Sequence, residues 1–239
     1  MPDGPLRRPR AARRGSARNA EGHAVRLLIA TRNAGKVREL RRLLAGVPVE
    51  LVSPDEAGVP LEPEETGETF AANAEAKARA FAEASGLPAV ADDSGLVVDA
   101  LGGRPGVRSA RYSGEPRDDR RSWEKLLAEL CDVPAAARTA RFECVVALAV
   151  PAVGPAFAGI LPGDVRLFRG TCEGRIGWAP RGAGGFGYDP VFLPAGREAT
   201  FAELPEEEKD ALSHRGAAAR SLAGWLRGAR VGGTGPRPT

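Results

Sequence analysis

Two adjacent carboxylates set between apolar runs constrain this chain more than any other feature of it. Residues 87–101 read LPAVADDSGLVVDAL. An apolar run over 87–91 leads into Asp92 and Asp93, and a second over 96–98 returns to a core. Such runs are the pattern of buried strands, and Ser94-Gly95 reads as the turn between them. Two acids at the exit of a buried strand are costly unless backbone N–H groups or a metal ion compensate their charge. An Asx-type turn meets the same pattern without any function. Neighbouring side chains on an extended strand point to opposite faces, so Asp92 and Asp93 should not share one role.

The charge balance bears on partners. The formal net charge is +3, but residues 1–24 hold six Arg against two acids and residues 228–239 two Arg against none. Between them remain 26 basic and 29 acidic residues, a net charge of −3. A mildly acidic fold lacks the basic surface that nucleic-acid binding requires, so no nucleic-acid partner is expected. No apolar run reaches the roughly 18–20 residues of a membrane span, so no membrane partner is expected either. Cys131, Cys144 and Cys172 have neither paired spacing nor a neighbouring His. This argues against a disulfide framework or zinc site and fits a reducing cytoplasm. The expected organisation is an Arg-rich disordered extension over 1–24, a folded domain over 25–227 and a disordered tail over 228–239.

Against 30 Arg the chain has four Lys: Lys36, Lys77, Lys125 and Lys209. Where Arg is the default cation, a Lys marks a place for a compact point charge. Residues 25–30 read as a strand, Thr31, Arg32, Asn33, Ala34, Gly35 and Lys36 as a polar turn, and Val37, Leu40, Leu43, Leu44 and Val47 as helical spacing. A strand, polar turn and helix start form an anion site, because free N–H groups and the helix dipole meet there. Lys36 in that first turn is unfavourable unless an anion is bound, and the glycine spacing is not that of a Walker loop. The acidic stretch EPEETGE over 62–68 precedes a helix over 70–85, capped by Thr69 and ended by Gly86. Asn73 and Lys77, four apart, share one of its faces.

Further on, a Gly/Pro/Arg loop spans 102–114, and Trp123, Leu126, Leu127 and Leu130 form the core stripe of a helix over 119–130. Residues 139–150 and 164–177 read as strands, the second a hairpin turned at Glu173-Gly174. The loop GAGGFGYDP over 182–190 holds Phe186, Tyr188 and Asp189, its aromatics either packing inward or stacking on a planar ligand. Thr200 caps a short helix through Leu204, another helix begins over 205–209, and Ser213-His214-Arg215-Gly216 interrupts before a last one ending near Leu226. Three of the four lysines, both tyrosines, Asn33, Asn73 and His214 all fall in these polar stretches. The clustering fits a nucleotide site, with lysines for phosphate, an aromatic for the base and carboxylates for a metal. Carboxylates beside a polyphosphate repel it, so both together imply a bridging Mg²⁺.

In order, TRNAGK, EETGETF, NAEAKA, ADDSGLVVDAL, PGVRSARYSG, GGFGYDPVF and EEKDALSHRGAA resemble the motifs of the non-canonical purine nucleoside triphosphate pyrophosphatases, which act on inosine and xanthosine triphosphates. The resemblance runs from about residue 25 to 227. Arg32 and Ala72 depart from it, standing where a small residue and Glu are usual. It implies an elongated, two-lobed α/β fold with a long central mixed β-sheet flanked by helices, the active site in the cleft between lobes, and a homodimer. It also implies Mg²⁺-dependent hydrolysis of ITP, dITP or XTP to monophosphate and pyrophosphate, cleansing the nucleotide pool. By motif, the turn from Thr31 to Lys36, with Lys77, holds phosphates. Asp93 is the general base and a metal ligand, with Glu64 or Glu65 near the metal. Ser94 touches substrate, Phe186 stacks on the base, and Gly187, Tyr188 and Asp189 line its pocket. Lys209, His214 and Arg215 read the base and ribose side. Two other functions compete. A Maf-like pyrophosphatase acting on modified pyrimidine nucleotides is opposed by the SHR and FGYDP motifs. A non-enzymatic nucleotide-binding module is opposed by the retained acids.

Overall fold

The computed structural model describes residues 25–229. Most of the two expected tails, residues 1–24 and 230–239, lies outside them. In chain order the elements are β1 (Arg26–Ile29), α1 (Ala34–Leu43), β2 (Glu50–Val52), α2 (Phe70–Ser85), β3 (Ala89–Val98), α3 (Asp119–Glu129), β4 (Thr139–Ala149), β5 (Val165–Ile176), β6 (Phe192–Pro194), α4 (Glu206–Leu212) and α5 (His214–Gly228). The strands form one sheet in the order β2-β1-β3-β4-β5-β6. β1 runs parallel to β2 and β3, and the remaining pairs are antiparallel. This is the mixed, helix-flanked α/β sheet implied by the motifs.

Period-two alternation sorts the sheet into two faces. Leu27, Ile29, Val90 and Val146 pack with Leu40 of α1 and Leu222 of α5. Leu28, Ala89, Ala91 and Val145 pack with Ala74, Ala78 and Phe81 of α2. Towards the other end of the long strands Leu96, Val98, Phe142 and Ile176 enter a further core with Leu126 and Leu130 of the α3 region. β3 and β4 therefore run from a pair of cores into a third.

Local signals set the helix ends. The Thr69 side chain accepts from Ala72 N, and Gly86 closes α2 at φ 67°, the left-handed conformation that glycine reaches without a Cβ penalty. Asn33 accepts from Lys36 N at the start of α1, and Ser213 from Gly216 N at the start of α5. His214 and Arg215 are thus the first residues of α5 rather than an interruption before it.

Three expectations are corrected. Ser94-Gly95 is no turn, because β3 is continuous and pairs with β4 from Ala89↔Ala149 to Val98↔Ala140. Gly95 serves close approach: a Cβ there would lie 2.4 Å from Gly106 O and 2.5 Å from Ser109 Oγ. Glu173-Gly174 likewise turns no hairpin, since β5 continues to Ile176 and Gly174 lies against the Phe192 ring and Leu193 O of β6. Thr200 starts turns, not a helix; its hydroxyl donates to Arg181 O at 2.9 Å.

The two neighbours of β3 differ in length. β1 pairs with it only at Leu28↔Ala89 and Ile29↔Val90, whereas β4 accompanies it throughout. Beyond Val90 the other edge of β3 has no strand partner: Asp92 O accepts from Lys77 Nζ and Leu96 N donates to Ser109 Oγ, and near its end Val98 N donates to Arg104 O. A cleft opens along that edge. Among the described residues the three cysteines are free, and no helix is long and apolar enough to cross a membrane.

Candidate active site

The cleft has a volume of about 660 Å³ and runs past Asp93, Ser94 and Gly95 at the middle of β3. Strand alternation sends Asp93 to the α2 side. There Asn73 Nδ2 donates to its Oδ2 at 3.0 Å, and Lys77 Nζ stands 3.5 Å from its Oδ1. The same Nζ donates to Glu65 Oε1 at 2.8 Å and to the main-chain oxygen of Asp92 at 2.8 Å. The i, i+4 spacing on α2 thus delivers both partners to one carboxylate. Burial raises the pKa of Asp93 against the opposing pull of Lys77 and Lys36. Burial also disfavours charge on Lys77 and Glu65. Their mutual attraction, joined at Lys77 by Asp93 and Asp92, outweighs it and keeps both ionised.

Asp92 faces the opposite side. Its Oδ2 lies 3.0 Å from Lys36 Nζ and 3.0 Å from the Arg215 guanidinium. Burial opposes its charge, but Lys36, Arg215 and Lys77 together hold its pKa far below the usual carboxylate range. Arg215, 2% exposed, donates from Nε to Asp92, from Nη1 to Glu39 and from Nη2 to Ser94 Oγ at 2.8 Å.

The 182–190 loop adds Phe186, Gly187, Tyr188 and Asp189 to the lining. Phe186 N donates to Asp189 Oδ2 at 2.9 Å, and buried Asp189 pairs with Lys209 Nζ at 2.6 Å. Lys209 Nζ lies 4.9 Å from the Phe186 ring centroid, leaving that half-buried ring at the cleft wall. His214 is buried and stacks on Phe142 at 4.6 Å and 9°, with Nδ1 unpartnered. Burial, and then the charges of Arg215 and Lys209, keep its imidazole neutral well below its ordinary pKa. Tyr188 packs inward, its hydroxyl donating to Ser109 O at 2.9 Å, and Gly187 N donates to Asp119 Oδ2 at 2.7 Å.

Nearly every residue singled out from the sequence therefore meets in one cleft. Glu64 and Glu65 line it together, and so do Thr31, Asn33 and Lys36. Ala34 and Gly35 do not line it; they form the first turn of α1. Arg32 lines the cleft too, with its guanidinium turned to Val59 O at 3.2 Å and towards Asp55 at 3.8 Å. Glu39, Arg111 and Asp119 went unselected in the sequence. Glu39 bonds Arg215, Arg111 Nη2 fixes the acidic loop through Glu65 O at 3.0 Å, and Asp119 holds Gly187. For Glu39 the sequence carries a signal: it lies three residues after Lys36 and so on the same helix face.

No group of three or more His, Cys, Asp or Glu suited to a metal occurs among the described residues. Asp93 and Glu65, both facing Lys77, are a two-carboxylate donor set. That suits Mg²⁺, which is commonly held by one or two carboxylates plus substrate phosphates and waters, not by an all-protein cage.

Comparison with known proteins agrees with this geometry. The model of the Ham1 family matches residues 27–225. The chain is 50% identical over 235 residues to the dITP/XTP pyrophosphatase of Anaeromyxobacter dehalogenans, covering 84% of this chain and 96% of that one. It is 52% identical over 204 residues to the dITP/XTP pyrophosphatase of Symbiobacterium thermophilum, covering 84% and 93%. The structure of a HAM1 protein from Coxiella burnetii superposes with a TM-score of 0.74 at 38% identity, over 86% of this chain and 100% of that one. For the Ham1 protein of Staphylococcus aureus the TM-score is 0.73 at 36% identity, over 85% and 98%. The fold, the cleft and the motifs that build it place this chain in the Ham1 family.

Proposed function

We propose that the cleft hydrolyses purine nucleoside triphosphates bearing a 6-carbonyl (ITP, dITP and XTP) to the monophosphate and pyrophosphate, removing them from the nucleotide pool. The observation that carries this reading is the chemistry that one cleft brings together: Asp93, Lys36 and Lys77 line it with Phe186, Lys209, His214 and Arg215. Thr31, Asn33, Lys36 and the α1 N-terminus hold the phosphates, with Lys77 beside them. Asp93 and Glu65, with Glu64 nearby, are the residues to hold Mg²⁺, which when bound offsets phosphate charge and acidifies water. Buried Asp93 accepts the proton of the attacking water, and its raised pKa suits it to that task. A homodimer working in the cytoplasm belongs to the same proposal, and light scattering measures the assembly.

Donors set the base preference. Hypoxanthine and xanthine present an oxygen at position 6, where adenine presents an amino group. Nε, Nη1 and Nη2 of Arg215 bond Asp92, Glu39 and Ser94, and Nη2 also lies 3.0 Å from Asp92, which leaves one N–H, on Nη1, for the base. Opposite adenine it stays unsatisfied, at about 1–3 kcal/mol, or roughly ten- to a hundredfold in rate. Guanine keeps the carbonyl, so this donor does not reject it.

The test is hydrolysis of ITP, dITP, XTP, ATP and GTP with magnesium and identification of products. Monophosphate and pyrophosphate are expected, with ITP ahead of ATP. Asp93→Asn should lower turnover at least ~10²-fold, the low end for a lost general base, while inosine monophosphate still binds. Equal wild-type rates on ATP and ITP would sink the donor argument, and near-normal turnover in Asp93→Asn would remove Asp93 as the base.

A further inference from the structure

We propose that Asp92 is a positioning residue that couples recognition of the base to placement of the phosphates, within the reaction proposed above. Asp92 is 1% exposed and does not line the cleft, so it acts through the residues it holds. One atom does the holding. Oδ2 lies 3.0 Å from Nζ of Lys36, the residue proposed for phosphate, and 3.0 Å from the guanidinium of Arg215, the residue proposed for the base. The other carboxylate oxygen, Oδ1, is buried without a partner, so the hydrogen bonding of the carboxylate converges on Oδ2. The main-chain oxygen of the same residue takes the Lys77 ammonium at 2.8 Å. Three cations of the cleft, arriving from α1, α2 and α5, are therefore referenced to one residue at the centre of β3.

The physical consequence is a fixed distance and a shared charge. Lys36 and Arg215 partition one buried negative charge between them. Removing Lys36 leaves Arg215 as the main partner of Oδ2 and draws its guanidinium towards Asp92, away from the base. Removing the charge of Asp92 releases both, so the residues proposed for base and phosphate lose their common reference. Either change should relax selection at the base, although neither Lys36 nor Asp92 touches it. A residue that only stabilised the fold would lower activity on every nucleotide alike.

The experiment compares kcat/KM for ITP and for ATP, with magnesium, in the wild type, Lys36→Met and Asp92→Asn. Lys36 is partly exposed, so Lys36→Met should fold even if Asp92→Asn does not. The ITP-to-ATP ratio should fall about fivefold or more in each folded variant, a coupling in the range of contacting residues. In the double variant the ratio should fall no further than in the weaker single, because both act on one contact. If Lys36→Met lowers both substrates by the same factor, leaving the ratio within about twofold of wild type as for independent sites, the coupling is overturned whatever Asp92→Asn does. A wild type that cleaves ITP and ATP alike would instead overturn the parent reading of base recognition.

Discussion

His214 is buried where a proton is unwelcome. Desolvation, then the charges of Arg215 and Lys209, hold its pKa well below 6.5. Below about pH 6.5 the unfolded chain binds a proton there that the folded chain does not. Stability therefore falls as pH drops through that point and is unaffected by this group above it. His214→Phe keeps a ring against Phe142 and removes the titration. Denaturant unfolding from pH 7 to 5 should show a wild-type decline steeper than that of His214→Phe, by up to about 1.4 kcal/mol per pH unit for one proton. Parallel slopes would assign the acid sensitivity to other groups. At this scale much was legible in the sequence. The four-residue spacing of Asn73 and Lys77 does place both on Asp93, and alternation does send Asp92 and Asp93 to opposite faces. Glu39 was legible only as a neighbour of Lys36 on one helix face, because its partner Arg215 arrives from 176 residues away.

Elements were legible where their signals are local and misread where they are not. Thr69 and Gly86 bound α2 because capping needs only neighbouring atoms. Gly95 and Gly174 looked like turns because a turn and a close approach both call for glycine, and only the folded chain shows what comes close. Gly95→Ala follows from this. Its Cβ would meet Gly106 O and Ser109 Oγ at 2.4 and 2.5 Å, so the 106–111 segment must back away. Overpacking of this kind costs about 1–3 kcal/mol. Ser109 O is also the acceptor of Tyr188, so the 182–190 loop should shift and the KM for ITP rise. Thermal denaturation and steady-state kinetics check both effects. A variant as stable as the wild type would mean that strand and segment can part without loss.

At the scale of the molecule, the mixed sheet and a cleft were implied by the motifs, while the course of β3 was not, since continuity of a strand depends on β4 lying beside it. The Arg-rich residues 1–24 precede the family match, which begins at residue 27. A segment of that composition has little apolar surface to bury, so deleting it should leave ITP hydrolysis and the melting temperature nearly unchanged. A marked fall in either would show that it packs on the fold. The uninterrupted β3 has one more consequence, and it concerns time. Many catalytic groups ride on loops that open long before the whole protein does. Asp93 instead sits midway along a strand paired with β4 from end to end, within the unit whose backbone amides should be last to exchange with deuterium. The acidic stretch over 62–68 and the glycine-rich loop should exchange first and the amides of β3 that donate to β4 last. The carboxylate proposed as the base then outlasts the loops around the cleft, and heat inactivation that sets in before global unfolding begins in those loops, not at Asp93.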